Sequence, residues 1–176
     1  MRILIIVSVI FWLIVGFAFG QTSKKTVYKL RVKNNALVLS YQNKSHKLNL
    51  AKQIDAAKID EAEVLFANRA NNFTYLVIDV TGMSKEKSDD RQCGAGVESN
   101  LIWVKLNASW RVSAADSVLY ESCWLPITSH DSFKISDDNL TLVYENLRND
   151  TEITVSYNAA QPEKGFVKKT AAVNNQ

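Results

Sequence analysis

The sequence predicts an all-β protein, a single antiparallel β-sandwich or flattened barrel of about ten strands in meander order, with a possible short helix near 51–60. Three observations carry this expectation. Apolar and polar residues alternate with a period of two through most of residues 26–158, the pattern of strands with one face in a core. Asn, Asp and Gly clusters break the alternation at short intervals, as they do in sandwiches and small barrels. No linker, internal repeat or low-complexity tract divides the chain, so its 176 residues are expected to make one domain.

The first twenty residues stand apart. Met1-Arg2 gives a short positive region, residues 3–19 are apolar apart from Ser8 and Gly16, and Ala18-Phe19-Gly20 supplies small residues where a signal peptidase reads. Residues 1–20 are therefore expected to be a signal peptide cleaved after Gly20, leaving a β-rich domain over 21–170 and a frayed tail over 171–176. An uncleaved segment would be an anchor of near-minimal spanning length. The N-terminal segment is the one expected route to a membrane.

Each element follows from the alternation. Tyr28, Leu30 and Val32 share one strand face against Lys29, Arg31 and Lys33. Asn34-Asn35 then suits a tight hairpin, because asparagine tolerates left-handed backbone. Leu37 and Leu39 make a second strand, and a polar turn at 42–44 leads to a third through His46, Leu48 and Leu50. Ala51, Ile54, Ala57 and Lys58 permit the short helix. Ala62, Val64 and Phe66 alternate again. After a turn at 68–72, residues 73–80 are largely apolar on both faces, as in the middle of a packed sheet. Residues 82–92 are the most polar stretch and read as an exposed loop. A core strand at 100–107, further strands at 110–112 and 117–124, and a stop at Pro126 follow. Leu140, Leu142 and Tyr144 then pair through a turn at 148–150 with Ile153, Val155 and Tyr157 as a hairpin with one wet face, and 166–167 offer an edge strand.

The chain carries two cysteines, Cys93 and Cys123. An exported protein meets an oxidising compartment, so a Cys93–Cys123 disulfide is expected. Closing a loop of about thirty residues stabilises by roughly 3–4 kcal/mol.

Chemistry-bearing patterns are sparse. Gly94 and Gly96 in Cys93-Gly94-Ala95-Gly96-Val97-Glu98 precede a strand rather than a helix, which removes the phosphate-cradling mechanism. They read as backbone freedom beside a crosslink, with Glu98 solvated at the strand entrance. Glu98 and Glu121, each near a cysteine, form the candidate carboxylate pair of a hydrolase. With Tyr120 they make up the candidate site. His46 reads as a half-buried strand residue and His130 as part of a polar turn; two histidines fall short of a metal ligand set, and no nucleophile elbow is present. No metal, cofactor or catalytic residue is assigned. Trp103, Trp110 and Trp124 with Tyr120 read as core, with a carrier cavity as the alternative. Five Asn-x-Ser/Thr triplets begin at Asn43, Asn72, Asn107, Asn139 and Asn149; in a eukaryotic secretory protein these would be glycan acceptors, while asparagine is also a turn residue in its own right. A net charge of +3 gives no reason to expect nucleic acid or an anionic membrane surface as partner.

The combination of Cys93-Gly94-Ala95-Gly96-x-Glu98, Leu101-Ile102-Trp103-Val104-Lys105-Leu106 and Ser117-x-Leu119-Tyr120-Glu121-Ser122-Cys123 resembles short exported bacterial proteins of no assigned activity. The likeness spans about residues 93–123. It implies a periplasmic or secreted setting and brings no catalytic residue with it. The expectation is an exported, non-enzymatic domain that binds a protein, glycan or small ligand or serves a structural role. The alternatives are a secreted hydrolase with paired carboxylates or a small-ligand carrier.

Overall fold

The structure, a computed structural model, describes residues 28–85, 96–129 and 133–173. Within them run twelve strands: β1 (Lys29–Lys33), β2 (Ala36–Tyr41), β3 (Lys44–Leu48), β4 (Lys58–Ala70), β5 (Phe73–Met83), β6 (Val97–Leu106), β7 (Val112–Ser122), β8 (Ile127–Thr128), β9 (Lys134–Ser136), β10 (Asn139–Asn146), β11 (Thr151–Asn158) and β12 (Val167–Ala172). Residues 51–57 form turn and irregular backbone, so no helix occurs near 51–60. Asp55 is the reason we can name. Its N–H and its carboxylate both bond the buried Asn100 side chain, at 3.1 and 2.9 Å, and that ties the segment down in an open conformation.

Three hairpins turn on paired left-handed residues. Asn34 and Asn35, Gln42 and Asn43, and Asn71 and Asn72 all have positive φ, the type I′ geometry whose twist matches the flanking strands. Asn35 does more than turn the chain. Its side chain accepts from Ile59 N–H at 2.7 Å and donates to the Ala57 carbonyl at 2.9 Å, and so fastens the first hairpin to the start of β4.

β1–β3 form a three-stranded antiparallel sheet. The other nine strands form a second sheet in the order β12-β11-β10-β8-β7-β6-β5-β4, with β9 paired to β10. That sheet is open at β4 and β12, so the molecule is a sandwich rather than a barrel. β5 and β6 are buried on both sides because each of their faces has its own core. Leu76, Ile78, Val80, Ile102, Val104 and Leu106 meet Leu37, Leu39, Leu48 and Leu50 of the small sheet. On the reverse face, Tyr75, Val77, Leu101 and Trp103 meet Leu140, Leu142, Val155 and Tyr157 of β10 and β11. The two halves of the large sheet, linked through the two-residue β8, thus turn over on one another.

A 3-10 turn at Pro162–Lys164 covers the second core, and the buried Trp103 indole N–H donates to the Pro162 carbonyl at 2.9 Å. Gly165 follows at φ +66° with the Trp103 ring 3.4 Å from where a Cβ would stand. β12 then continues through Ala172, with Ala171 opposite Glu152 and Ala172 opposite Thr151. The tail expected to fray from 171 is therefore paired to 172.

Candidate functional site

β6 begins at Val97, earlier than its apolar run suggests, because Gly82 pairs with Glu98 and Glu98 with Ser122. Gly82 and Met83 thus belong to β5, and Ser84 is buried behind them. Residues 82 and 83 of the expected 82–92 loop are therefore strand, and 86–92 lie outside the described residues. Glu98, expected to be solvated, sits in the interior of this ladder at 3 % exposure. Its Oε1 accepts from the Ser84 hydroxyl at 2.7 Å and from Cys123 N–H at 3.3 Å. Successive side chains on a strand point to opposite faces, so Glu98, on the face of the first core, is separated by the sheet from Ser99. Ser99 is the residue that holds Glu121, its hydroxyl donating to Oε2 at 3.2 Å. Glu98 and Glu121 therefore do not share a cleft.

Cys123 follows β7 and carries no free thiol. Cys93 lies outside the described residues, as do Gly94, Ala95 and His130, so the expected Cys93–Cys123 pairing does too. A Cβ on Gly96 would collide with the Cys123 side chain, which gives this glycine of the sequence motif a packing reason.

Tyr120 and Glu121 are brought together with residues the sequence reading did not select. The register slips at Ser99/Asn100, where Asn100 opposes Leu119 and Ser99 opposes Glu121. Tyr120 is the unpaired residue of this bulge, and bulges re-aim side chains. Its hydroxyl donates to Asp79 Oδ1 at 2.8 Å, on the face where Ser99 holds Glu121. Thr81 and Ser99 hydroxyls lie 3.4 Å apart between them. Glu61 and Glu63 of β4 oppose Thr81 and Asp79. With Ala62 these four residues line a cleft of about 350 Å³. Asp79 was legible in principle as the one charged residue in the largely apolar run 73–80.

Electrostatics follow from burial and crowding. Burial pushes the Asp79 carboxyl above its ordinary range, and Glu63 and Glu121 push in the same direction against the Tyr120 hydrogen bond. Burial raises the Tyr120 phenol as well, reinforced by Asp79. Among the described residues none of Glu61, Glu63, Asp79 or Glu121 pairs with a lysine or arginine. No group of three or more His, Cys, Asp or Glu among the described residues is arranged to hold a metal ion.

The tryptophans do not line one cavity. Trp103 fills the second core. Trp110 stacks on His46 at 5.0 Å and meets Tyr41 at 4.9 Å at the end of the first core. Trp124, beyond β7, donates to the Lys85 carbonyl at 2.8 Å. The fold and this face define an open antiparallel β-sandwich with an acidic cleft on β5 and the edge strand β4. No protein-family model, curated protein or solved structure matches the chain.

Proposed function

We propose that this chain is an exported, non-enzymatic β-sandwich domain that binds a protein, glycan or small ligand at the cell envelope or outside the cell. The observation that carries the reading is the separation of Glu98 from Glu121 across the sheet, which leaves the candidate carboxylates unable to act as a pair on one bond. The leader-like residues 1–20, the two cysteines and the likeness to short exported bacterial proteins support export. Sandwiches of this kind present function on surface loops and faces over a rigid core.

Mass spectrometry of the protein purified from cells tests export directly. A mature N-terminus at Gln21 and a mass two hydrogens below the reduced chain are expected. A chain that retains Met1, or two free thiols, would overturn it.

One observation favours a second reading, a hydrolase. Asp79 has a raised carboxyl beside Glu63 and Glu121, and a raised carboxyl in a cleft is the usual form of a general acid. Asp79→Asn and Glu121→Gln would each abolish hydrolysis if this were so. Equal turnover of xylan and chromogenic glycosides by parent and variants, at background rate, supports the binding reading.

A further inference from the structure

The small net charge hides a segregation. From Lys29 to Lys52 the chain has six basic residues and no acidic one. Strand alternation sorts most of them onto one surface. Leu30 and Val32 turn toward the core, so Lys29, Arg31 and Lys33 turn outward and are exposed. Arg31 opposes Val38, and Val38 opposes Lys47, which puts exposed Lys47 on the same outer face two strands away. The next row runs Lys29, Ser40, Ser45, its two hydroxyls 3.1 Å apart. Cations thus recur at roughly 7 Å along β1 and roughly 10 Å across the sheet. None of the four makes an ion pair among the described residues. Like charges crowded on one sheet face oppose folding slightly, so the array has no stabilising role within the domain.

We propose that this outer face of the small sheet binds a linear acidic polysaccharide, with carboxylate or sulfate groups recurring along the sugar chain. The inference rests on the reading of an exported binding domain and names its partner class. A regular array of cations complements an extended polyanion, and the Ser40 and Ser45 hydroxyls suit sugar hydroxyls between the charges. Two other polyanions fit less well. Among the described residues the exposed large apolar side chains, Met83, Val97, Leu125, Ile135, Leu147 and Val167, all lie off this sheet, so they give the face no wedge for a bilayer. Tyr41 stacks on Tyr28 and meets Trp110, and Tyr28 and Trp110 pack against the first core rather than the outer face, so among the described residues of the sheet no ring is presented there for bases to stack on.

The test uses the protein expressed with its own N-terminal segment and purified as the cell delivers it. Titration with polygalacturonate and dextran sulfate at low salt is expected to show binding that neutral dextran does not. The triple variant Lys29→Ser, Arg31→Ser, Lys47→Ser should weaken it about tenfold or more and flatten its dependence on salt, as loss of about three released counterions requires. A control triple, Arg148→Ser, Lys164→Ser, Lys169→Ser, changes charge equally elsewhere and should bind nearly as the parent does. Equal weakening by both triples, no binding to either polyanion, or binding to phosphatidylglycerol vesicles or duplex DNA in their place would overturn the proposal. Those failures in a chain that begins at Gln21 sink the polysaccharide alone; a chain that begins at Met1 sinks the export reading beneath it.

Discussion

Tyr120 and Tyr157 are both buried, but among the described residues only Tyr120 of the two has a partner for its hydroxyl. A buried unpaired hydroxyl costs free energy, whereas a paired one stabilises modestly. Tyr157→Phe should therefore leave stability unchanged or raise it by up to about 1 kcal/mol, while Tyr120→Phe should lower it by about 1 kcal/mol. Urea denaturation at pH 7 checks both. Asp79 supplies the pH dependence. Its carboxyl is raised from 3.8 in the folded state, so the folded protein holds that proton more tightly than the unfolded chain. Stability from this group is full below pH 3.8 and is lost as pH rises through the folded pKa. Asp79→Asn, which can still accept from Tyr120, should gain on the parent between pH 3 and pH 7. An equal stability difference at both pH values would contradict the assignment. Glu98 behaves as a structural acceptor. Glu98→Ala leaves the Ser84 hydroxyl and the Cys123 N–H without their partner and should cost roughly 2–3 kcal/mol, whereas Glu98→Gln keeps the acceptor and should cost less than half of that.

The elements show how far alternation reaches and where it stops. It located the first three strands and the 140–157 hairpin, because each of these packs one apolar face with a strict period of two, while the two-sided burial of 73–80 was marked by its near-continuous apolar run. It missed the extent of β5 and β6. Gly82, Ser84, Glu98 and Ser99 are too polar to look buried, and their burial comes from cross-strand partners that no local window contains. The candidate site was half legible for the same reason. Tyr120 and Glu121 should point to opposite faces by alternation, and only the register slip against β6 puts both toward Asp79. The helix near 51–60 failed because Asn100, distant in sequence, holds Asp55. Gly82 tests this element-level account. A Cβ there would run into the Lys58 carbonyl, so Gly82→Ala should force β4 and β5 apart where they begin to pair. A loss of roughly 1–3 kcal/mol is expected for such overpacking, together with faster amide exchange at Ala57, whose N–H donates to the Met83 carbonyl at 2.8 Å beside Gly82. Unchanged exchange there would show that the hairpin end adapts.

At the scale of the molecule, the two cores are back to back on β5 and β6, and this decides how the domain unfolds. The small sheet is a local meander that closes early in sequence, so it has the connectivity of an independent unit. Its apolar side, however, formed by Leu37, Leu39, Leu48 and Leu50 with the half-buried Leu30 and Val32, is covered by a partner surface, and exposing it to water costs free energy. That partner is the same pair of strands that carries the second core on its reverse. Losing either layer exposes one whole face of β5 and β6, so the layers should melt together. Leu39→Ala in the first core and Leu142→Ala in the second, at 0 % and 1 % exposure, should each cost roughly 2–5 kcal/mol. Two tryptophans report the layers separately: Trp110 packs at the end of the first core and Trp103 lies in the second. With Trp124 replaced by Phe, the variants Trp110→Phe and Trp103→Phe leave one core reporter each beyond the N-terminal segment. Their urea transitions should coincide, and either leucine variant should shift both by the same amount. A Leu39→Ala variant that moves the Trp110 transition while leaving that of Trp103 in place would mean the small sheet detaches first, and β5 and β6 would then owe their order to the second core alone.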